Sequence, residues 1–385
     1  MPYEQSTLAS ARSPEMTTRE AVQALAQMVD QALKDLATQA KINGALVSRI
    51  LKLEADLKET CNGLVAVAEP LKSHLANHPV SSLLHPAAEL RMWRSVREQL
   101  LALHRQSGLL SDPSPPIPSA PPGPGPLKSR LCSQDQFETP WYGYWWSRIK
   151  EPAQWQRKQW EWCYIAQALH ERGVLKPGSR GLGFGVGEEP LTAVFASRGC
   201  SILATDLDQS DPKSRVWAAT RQHAPAIATL NQRGICDPED FKRLVSHRPA
   251  DMNAISPDLT GFDFVWSSSS LDHLGTLQKA AQFIVNSLAC LKPGGLAVHT
   301  TEFNVASNQQ TITEGETVVF RQQDIETLAR ALRQNGHEIE LDWTLGNGIA
   351  DNLVDIFPYD YKVYLRLQLH QYVITSIGLI IKKAG

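Results

Sequence analysis

Gly183-Phe184-Gly185-Val186-Gly187 follows a short apolar run and precedes a helical pattern. Glycines at such a junction let the chain turn tightly, and they let a ligand approach the backbone beside the start of a helix. A dinucleotide fingerprint, G-x-G-x-x-G, would need a glycine at the sixth position, where this chain has Glu188. The stretch therefore favours a ligand without phosphates over NAD.

Short apolar runs alternate with helical patterns on both sides of this stretch. Such alternation predicts parallel crossovers and a doubly wound α/β sheet. We predict strands at Arg180–Phe184, Ser201–Asp206, Leu244–Pro249, Phe262–Ser267, Gly295–Phe303, Glu338–Trp343 and Tyr372–Ile381. Helices are predicted near Glu188–Ser197, Pro212–Gln222, Leu277–Leu291 and Asp324–Asn335. No helical pattern separates the last two strands, which suits an antiparallel pair at the sheet edge.

Acidic residues follow the second and third predicted strands. Asp206 closes the second strand, where a carboxylate can accept hydrogen bonds from both hydroxyls of a ribose. The alternative is an ordinary cap, because Asp is common after strands. Asp251 and Met252 follow the third strand and suit an adenine, with the carboxylate at the amino group and the thioether on the ring. Leu291-Lys-Pro-Gly-Gly295 is a tight turn before the fifth strand, with a structural role.

In their order and spacing, the glycine stretch, Asp206, Asp251, Phe262-Asp-Phe-Val265 and the turn at 291–295 resemble class I S-adenosylmethionine-dependent methyltransferases. The resemblance covers roughly residues 155–385. The stretches 183–190, 269–273 and 375–379 further resemble bacterial members that accompany glycosyltransferases in polysaccharide biosynthesis.

The resemblance implies a Rossmann-like sheet of seven strands with the last strand antiparallel, and S-adenosylmethionine lying across the strand ends. The residues that it assigns to the cofactor are Gly183, Phe184, Gly185 and Gly187 at the methionine part, Asp206 at the ribose, Leu207, Asp251 and Met252 at the adenine, and Ser267 on the methyl-donor side. The family usually has an acid two residues before the first glycine of the loop. Here that residue is Gly181, and Glu188 or the helix over 155–161 is a candidate substitute.

Methyl transfer from a sulfonium is an in-line displacement, in which the protein mainly aligns the nucleophile. A hydroxyl acceptor also benefits from a base that titrates near neutral pH, and this favours histidine. His273, just after the fourth strand, is our candidate catalytic base, and a helix cap is the structural alternative. Glu302 and Asn304 are alternative acceptor contacts, whereas His299 is expected to be buried and Asp272 to be solvated.

The amino-terminal third has a different pattern. Residues 1–16 look disordered, and residues 17–110 look helical. Apolar residues recur every seven positions from Val22 to Leu64 with Asn43 in the seam, which predicts a coiled coil and hence a homo-oligomer. An amphipathic helix packed on its own chain is the alternative. Residues 111–127 form a linker, because eight prolines within residues 111–126 favour an extended spacer over a ligand for an SH3-type domain.

Residues 128–177 are rich in aromatic side chains and lead into the sheet domain, residues 178–385. We interpret the tryptophans as hydrophobic packing rather than as a surface that stacks on sugars or bases. One helix is expected over Trp155–His170.

Composition excludes several classes. The 385 residues include 38 Lys plus Arg and 40 Asp plus Glu, a net charge of −2, which argues against binding a nucleic-acid backbone. No apolar run approaches the roughly 20 residues of a membrane span, and the amino terminus lacks the features of a signal peptide, so we expect a cytoplasmic protein. The six cysteines are widely spaced, which predicts reduced thiols and no metal site.

The leading hypothesis is an S-adenosylmethionine-dependent methyltransferase, O-directed, that acts on a glycan or glycolipid intermediate. Ser267-Ser-Ser-Ser270 replaces the N-P-P-Y type of loop used for amines of DNA bases. One rival is a nicotinamide-dependent oxidoreductase, which the glycine spacing disfavours. The other is a non-catalytic oligomeric scaffold with a degenerate cofactor domain, which Gly181 favours.

Overall fold

A computed structural model of the protein describes residues 97–106, 108, 110–123, 125, 127–208, 227–357 and 359–385. The predicted coiled coil and the helix predicted at Pro212–Gln222 lie outside the described residues. The chain divides into two units, Met1–Ser111 and Asp112–Gly385. Residues 97–106 of the first unit are helical, and the second unit holds the sheet.

The strands of the second unit are β1 (Ser129–Leu131), β2 (Trp155–Gln156), β3 (Arg180–Phe184), β4 (Ser201–Asp206), β5 (Val245–Pro249), β6 (Phe262–Ser268), β7 (Leu291–Asn304), β8 (Glu338–Ile339), β9 (Leu341–Asp342), β10 (Val354–Asp355), β11 (Val363–Tyr364), β12 (Arg366–Leu369) and β13 (Tyr372–Lys382). The helices are α1 (Pro140–Ile149), α2 (Arg157–Glu171), α3 (Leu191–Ala196), α4 (Pro238–Leu244), α5 (Leu277–Ser287), α6 (Gln322–Gln334) and α7 (Ile349–Asn352). Short 3-10 turns cover Gln134–Glu138, Ile227–Asn231, Leu271–His273 and Leu288–Cys290.

The main sheet has the order β10-β12-β13-β7-β6-β3-β4-β5. Strands β3 to β7 are parallel, and β13 runs antiparallel beside β7 with Ile377 opposite Thr301. The prediction of a mainly parallel sheet with an antiparallel last strand is therefore confirmed. The strand order reverses beside β3, which places a crevice at the carboxyl ends of β3 and β6, where ligands bind in open α/β sheets.

The sheet departs from the prediction at its second edge. All seven predicted runs form strands, although the run at Glu338–Trp343 divides into β8 and β9. β8 does pair antiparallel with β13, but β13 is an interior strand, because β7, β12 and β1 also pair with it. The described residues form eleven strands in this sheet rather than seven. The additional strands are two to four residues long, too short to show an alternating pattern.

Helices cover both faces of the sheet. On one face, α2 lies close to β13 because Gly378 has no side chain, and a Cβ there would collide with the ring of Tyr164. On the other face, Phe283 of α5 and Ile325 of α6 join a core with Val265 and Ile377 of the strands. Successive side chains of a strand point to opposite faces of the sheet. Those of β6, β7 and β13 therefore point alternately towards α2 and towards this core.

Local capping explains where the helices begin. The Thr139 hydroxyl accepts the amide of Tyr142 at 3.3 Å and Pro140 takes the first helical position, so α1 starts there. The Thr276 hydroxyl accepts the amide of Lys279 at the start of α5. The helix expected from Trp155 begins two residues later, because Trp155 pairs with Val363 in a short two-stranded sheet.

The aromatic segment mostly packs inside the domain, as predicted. Trp145 and Trp160 are fully buried, and their indole N–H groups donate to Gln167 at 2.8 Å and Gln136 at 3.0 Å. Buried polar groups need such partners, so each tryptophan is satisfied as well as packed. Trp162 is different, because it lines the cavity described below.

Part of the proline-rich segment packs on α1. Residues 111–123 have no regular secondary structure, and Pro113 and Pro115 are buried. Gly143 of α1 faces the backbone of Pro116 so closely that a Cβ would collide with the Pro116 carbonyl oxygen. This part of the predicted linker is therefore packed against α1.

The cysteines of the described residues are all unpaired and buried: Cys132, Cys163, Cys200, Cys236 and Cys290. Burial raises the pKa of the Cys200 thiol to about 11, so that it stays neutral.

Candidate active site

A cavity of about 390 Å³ opens at the carboxyl ends of β3, β4 and β6. Its walls come from five places: the glycine turn after β3, the ends of β4 and β5, the turn after β6, the first two turns of α2, and Gln232 and Arg233 after the 3-10 turn Ile227–Asn231. The cavity lies where the strand order reverses, as the sheet topology predicts.

The glycine turn forms one wall because side chains would not fit there. Gly185 and Gly187 have φ angles of +59° and +49°, which L-residues with a Cβ rarely adopt. A Cβ on Gly185 would lie 2.7 Å from the Ser270 Cβ. Glycine therefore permits both the turn and its close approach to Ser270, and both glycines line the cavity.

Asp206 lies at the base of the cavity and holds this turn in place. The Gly187 amide donates to its Oδ2 at 3.1 Å, and the Leu207 amide donates to its Oδ1 at 2.9 Å. Asp206 also lines the cavity, and a carboxylate accepts hydrogen bonds from hydroxyl groups. The sequence singled out Asp206 as a ligand group but did not indicate that it fastens the glycine turn.

Three other residues predicted for the cofactor also reach the cavity. Leu207, Asp251 and Met252 line its wall beyond β4 and β5. Met252 is buried, whereas Asp251 is exposed and accepts the amide of Asn253 at 2.8 Å. An apolar side chain beside an exposed carboxylate is an arrangement that can bind a planar ring. The apolar side chain contacts the face of the ring, and the carboxylate accepts a hydrogen bond from a polar group at its edge.

Gly183, Phe184 and Ser267 lie behind the cavity wall. A Cβ on Gly183 would collide with the Trp266 ring, and Phe184 is buried edge-to-face against Phe283 at 5.2 Å. The prediction that the Ser267 side chain lines the methyl-donor side is wrong, because that side chain is fully buried and bonded to His299 Nδ1 at 2.8 Å. Strand alternation places Ser267 on the core face, and Ser268–Ser270 line the cavity instead.

His273 lines the opposite side of the cavity, as its predicted role requires. Its Nδ1 lies 2.7 Å from the Glu316 carbonyl oxygen, and because a carbonyl only accepts, Nδ1 carries the hydrogen. Its Nε2 lies 3.3 Å from Asp272 Oδ2. The prediction that Asp272 is solvated is wrong, since the 3-10 turn Leu271–His273 leaves it 1% exposed.

A fully buried carboxylate, Glu161 of α2, anchors the turn after β6. It accepts hydrogen bonds from the hydroxyls of Ser268, Ser269, Thr300 and Ser376 at 2.5–3.1 Å. Burial alone would raise the pKa of Glu161, but Lys158, Arg157 and these hydroxyls hold it below its ordinary value. Ser269 has a φ of +40° in this turn. Glu161 thus positions a strained cavity wall, and no sequence motif indicates it.

The two alternative acceptor contacts are buried rather than facing the cavity. Glu302 Oε1 pairs with Arg157 at 2.7 Å, and burial raises the Glu302 pKa despite that cation. Asn304 Oδ1 accepts the amides of Ala306 and Ser307, so that residue shapes a loop. His299 is fully buried, as expected, and burial lowers its pKa to about 3.

Glu189 is a buried acid on the cavity wall that the sequence analysis did not identify. Trp266 Nε1 donates to its Oε1 at 2.6 Å. Burial raises the Glu189 pKa to about 8, although the Trp266 hydrogen bond opposes this. At position 181, by contrast, a side chain would collide with the ring of Phe264, so an acid does not fit there.

Within the residues that the structure describes, no group of three or more His, Cys, Asp and Glu side chains is arranged to hold a metal ion. None of the helices in the same residues has the length and apolar character needed to cross a bilayer.

No protein-family model and no curated protein matches the chain. Solved structures resemble it at low similarity. Magnesium protoporphyrin IX methyltransferase from Synechocystis, with bound S-adenosylhomocysteine, is 13% identical over 62% of this chain and 93% of its own, with a TM-score of 0.37. A Burkholderia thailandensis 1,6-didemethyltoxoflavin-N1-methyltransferase, also with S-adenosylhomocysteine, is 16% identical over 57% of this chain and 76% of its own, at 0.36.

The [4+2]-cyclase SpnF resembles the chain to the same degree, with 19% identity over 57% of this chain and 80% of its own and a TM-score of 0.37. Likeness at this level does not extend to substrate or activity.

Proposed function

We propose that the protein is an S-adenosylmethionine-dependent methyltransferase. The observation that carries the proposal is the cavity at the reversal of strand order, enclosed by the glycine turn and closed at its base by Asp206. A carboxylate, a buried methionine and a glycine turn in one cavity fit an adenosine without phosphates. The methyltransferase neighbours with bound S-adenosylhomocysteine agree with this cofactor.

The residues that would hold the cofactor divide along the cavity. Asp206 would accept both ribose hydroxyls, Leu207 and Met252 would enclose the adenine, and Asp251 would meet its amino group. Gly185 and Gly187 would lie beneath the sulfur and methionine part, with Ser268–Ser270 across from them. When bound, S-adenosylmethionine supplies an electrophilic methyl group on a sulfonium.

His273 would act on the acceptor. Because Nδ1 carries a hydrogen in its bond to the Glu316 carbonyl, a proton from an acceptor hydroxyl would go to Nε2. Asp272, 3.3 Å from Nε2, would stabilise the imidazolium that forms. A hydroxyl that loses its proton in this way is a stronger nucleophile, so the arrangement favours O-methylation.

The proposed acceptor is a glycan or glycolipid intermediate. Support comes from an aromatic patch, which we define as Phe357, Tyr359, Tyr361 and Tyr364, near the carboxyl edge of the sheet. Phe357 and Tyr361 are 65% and 52% exposed, and neighbouring ring centroids in the patch lie 4.7–6.0 Å apart. Exposed aromatic faces stack on the apolar faces of sugar rings. Arg157, which pairs with Glu302, lies 5.3 Å from the Tyr364 ring.

Titration calorimetry with S-adenosylhomocysteine, S-adenosylmethionine and NAD tests the cofactor. The proposal expects both sulfur ligands to bind and NAD not to bind. Binding of NAD alone would support the oxidoreductase, and binding of none of the three would support the scaffold.

Incubation with radiolabelled S-adenosylmethionine and fractionated cell-envelope saccharides tests the acceptor. His273→Gln should lower transfer roughly 10²–10⁴-fold, the usual contribution of a general base, with cofactor affinity unchanged. His370→Gln, at an exposed histidine outside the cavity, is the matched control. Full methyl transfer by His273→Gln would contradict the assignment of His273 as the base. Label in a protein or nucleic-acid fraction would contradict the assignment of a glycan acceptor.

We also propose that the amino-terminal helix assembles the protein into a homo-oligomer. Deleting residues 1–110 should lower the molar mass of the assembly in light scattering while S-adenosylhomocysteine still binds. A truncated protein that keeps its full assembly would contradict it.

A further inference from the structure

The lining of the cavity contains two chemically different sets of residues. Asp206, Leu207, Asp251 and Met252 are the set proposed for adenosine, with hydroxyl acceptors and apolar contacts. The second set is Glu189 and Glu188 with two cations, Lys158 and Arg233, which pair with Glu161 and Glu151 outside the cavity lining. Carboxylates next to cations in one pocket match a zwitterion, whose ammonium and carboxylate groups need opposite partners.

Glu189 is the unusual member of the second set. It is only 7% exposed, although it borders open space, and Oε1 is the oxygen that accepts the Trp266 indole N–H. A buried carboxylate is costly unless it is paired, so the free protein favours its protonated form. A ligand cation beside it would reverse that preference, because opposite charges stabilise the ionised acid.

The charged groups already around Glu189 do not offset the cost of ionising it, so ionisation depends on a ligand cation. Glu161 of α2 and Asp206 of β4 both oppose ionisation of Glu189, whereas Lys158 of α2 and the Trp266 N–H of β6 favour it. Lys158 also pairs with Glu161 at 3.7 Å. On the same turn, Glu188 is partly exposed and lies 3.5 Å from Gln232.

We propose that Glu189 binds the ammonium group of the cofactor's amino-acid end and that binding is coupled to release of the Glu189 proton. The inference rests on the proposed function, because it assigns the zwitterionic ligand to this cavity. It makes affinity depend on pH in a definite direction: the carboxylate form binds the ammonium, so affinity rises as the pH rises towards 8. Since the free acid has a pKa of about 8, affinity should fall roughly tenfold from about pH 7 to pH 6.

The test compares two ligands by titration calorimetry on the full chain. S-adenosylhomocysteine carries the ammonium group, and 5′-methylthioadenosine lacks the whole amino-acid end. Measuring each at about pH 7 in buffers of different ionisation enthalpy counts the protons released on binding. We expect S-adenosylhomocysteine to release close to one proton and 5′-methylthioadenosine to release close to none.

Glu189→Gln keeps the Trp266 hydrogen bond, because an amide oxygen also accepts. It should weaken S-adenosylhomocysteine roughly 10- to 100-fold at about pH 8, as expected for a lost charge-assisted bond, and abolish proton release. Its affinity for 5′-methylthioadenosine should not change, which also shows that the variant is folded. Glu188→Gln is the matched control, and it should keep proton release.

A second variant acts on Glu189 without touching the ligand. Trp266→Phe removes the N–H that favours ionisation of the acid, so the pH at which affinity rises should move upward while the affinity at high pH recovers. A purely structural effect would weaken binding equally at every pH, and this result would contradict the proposal.

The outcomes separate the inference from the function on which it rests. If S-adenosylhomocysteine binds without proton release and Glu189→Gln binds it as well as the parent protein, Glu189 is not the ammonium partner and the cofactor proposal stands. If neither ligand binds, both the function and this inference are wrong.

Discussion

The two halves of the carboxyl edge of the sheet differ, because one half borders a cavity and the other is filled with buried side chains. Above β3, β4 and β5 the edge is open, and Gly185 and Gly187 line a cavity there. Above β6, β7 and β13 the edge is filled by Glu161, Arg157 and Glu302 with their hydroxyl partners. The open half provides room for a ligand, whereas the filled half fixes the wall that faces it. Changes in the first should alter binding, and changes in the second should alter folding.

The largest expected effect is in the filled half. Glu161→Ala would leave four hydroxyl groups without their buried acceptor and would remove one of the two carboxylates that pair with Arg157, so we expect a loss of about 3–5 kcal/mol in the free energy of unfolding. Urea denaturation measures it. Glu340→Ala is the control, because its carboxylate is 74% exposed in an ion pair with Lys128 and should contribute about 0–1 kcal/mol. Equal losses in the two variants would contradict the contrast between the halves.

A smaller effect is expected in the open half, and in binding. Asp206→Ala should weaken S-adenosylhomocysteine by about 1.5–3 kcal/mol, because charge-assisted bonds to the ribose hydroxyls are lost. Calorimetry measures the change, and Asp258→Asn, at an exposed ion pair with Arg248, is the control. Unchanged affinity in Asp206→Ala would show that the ribose lies elsewhere.

Two glycines with the same backbone conformation separate the effect of an added side chain on ligand affinity from its effect on stability. Gly185 and Gly234 have φ angles of +59° and +58°, but a Cβ on Gly234 meets nothing within 4 Å, whereas one on Gly185 meets Ser270. Alanine at either position should cost about 1–2 kcal/mol in stability from the left-handed conformation. Only Gly185→Ala should also reduce affinity for S-adenosylhomocysteine. Equal affinities would mean that the ligand does not lie over the turn.

Between about pH 6.5 and pH 5.5, the smallest effect concerns acid stability of the core behind the cavity. The buried His299 stays neutral in the folded protein with a pKa of about 3, whereas its ordinary value is 6.5. The contribution of neutral His299 to the free energy of unfolding is therefore fully present above about pH 6.5. It declines by about 1.4 kcal/mol per pH unit as the pH falls towards 3. Urea denaturation at several pH values should show a shallower decline for His299→Asn.

Sequence reasoning located the open half well and the filled half poorly. The glycine turn, Asp206 and Met252 lie on strand ends, so local pattern and strand order were enough to bring them together. Glu161 and Glu189 were missed because their roles depend on partners 77–215 residues away in the chain. Ser267 was placed on the wrong side because the pattern fixed where β6 ends but not which face each serine takes.

The same limit applies to the sheet edge. The two-residue strands β8, β9 and β10 are held by pairing with longer neighbours and have no periodicity of their own. Asp272 was expected in solvent because a polar residue after a strand is usually exposed. The 3-10 turn buries it instead, beside His273, where it bears on the proposed chemistry.

A crystal structure of the protein with S-adenosylhomocysteine tests the central claim most directly. The account predicts the ribose hydroxyls within hydrogen-bond distance of Asp206, the adenine against Met252, and the amino-acid end beyond Gly187. A ligand bound elsewhere, with this cavity closed by side chains at saturating concentration, would contradict it.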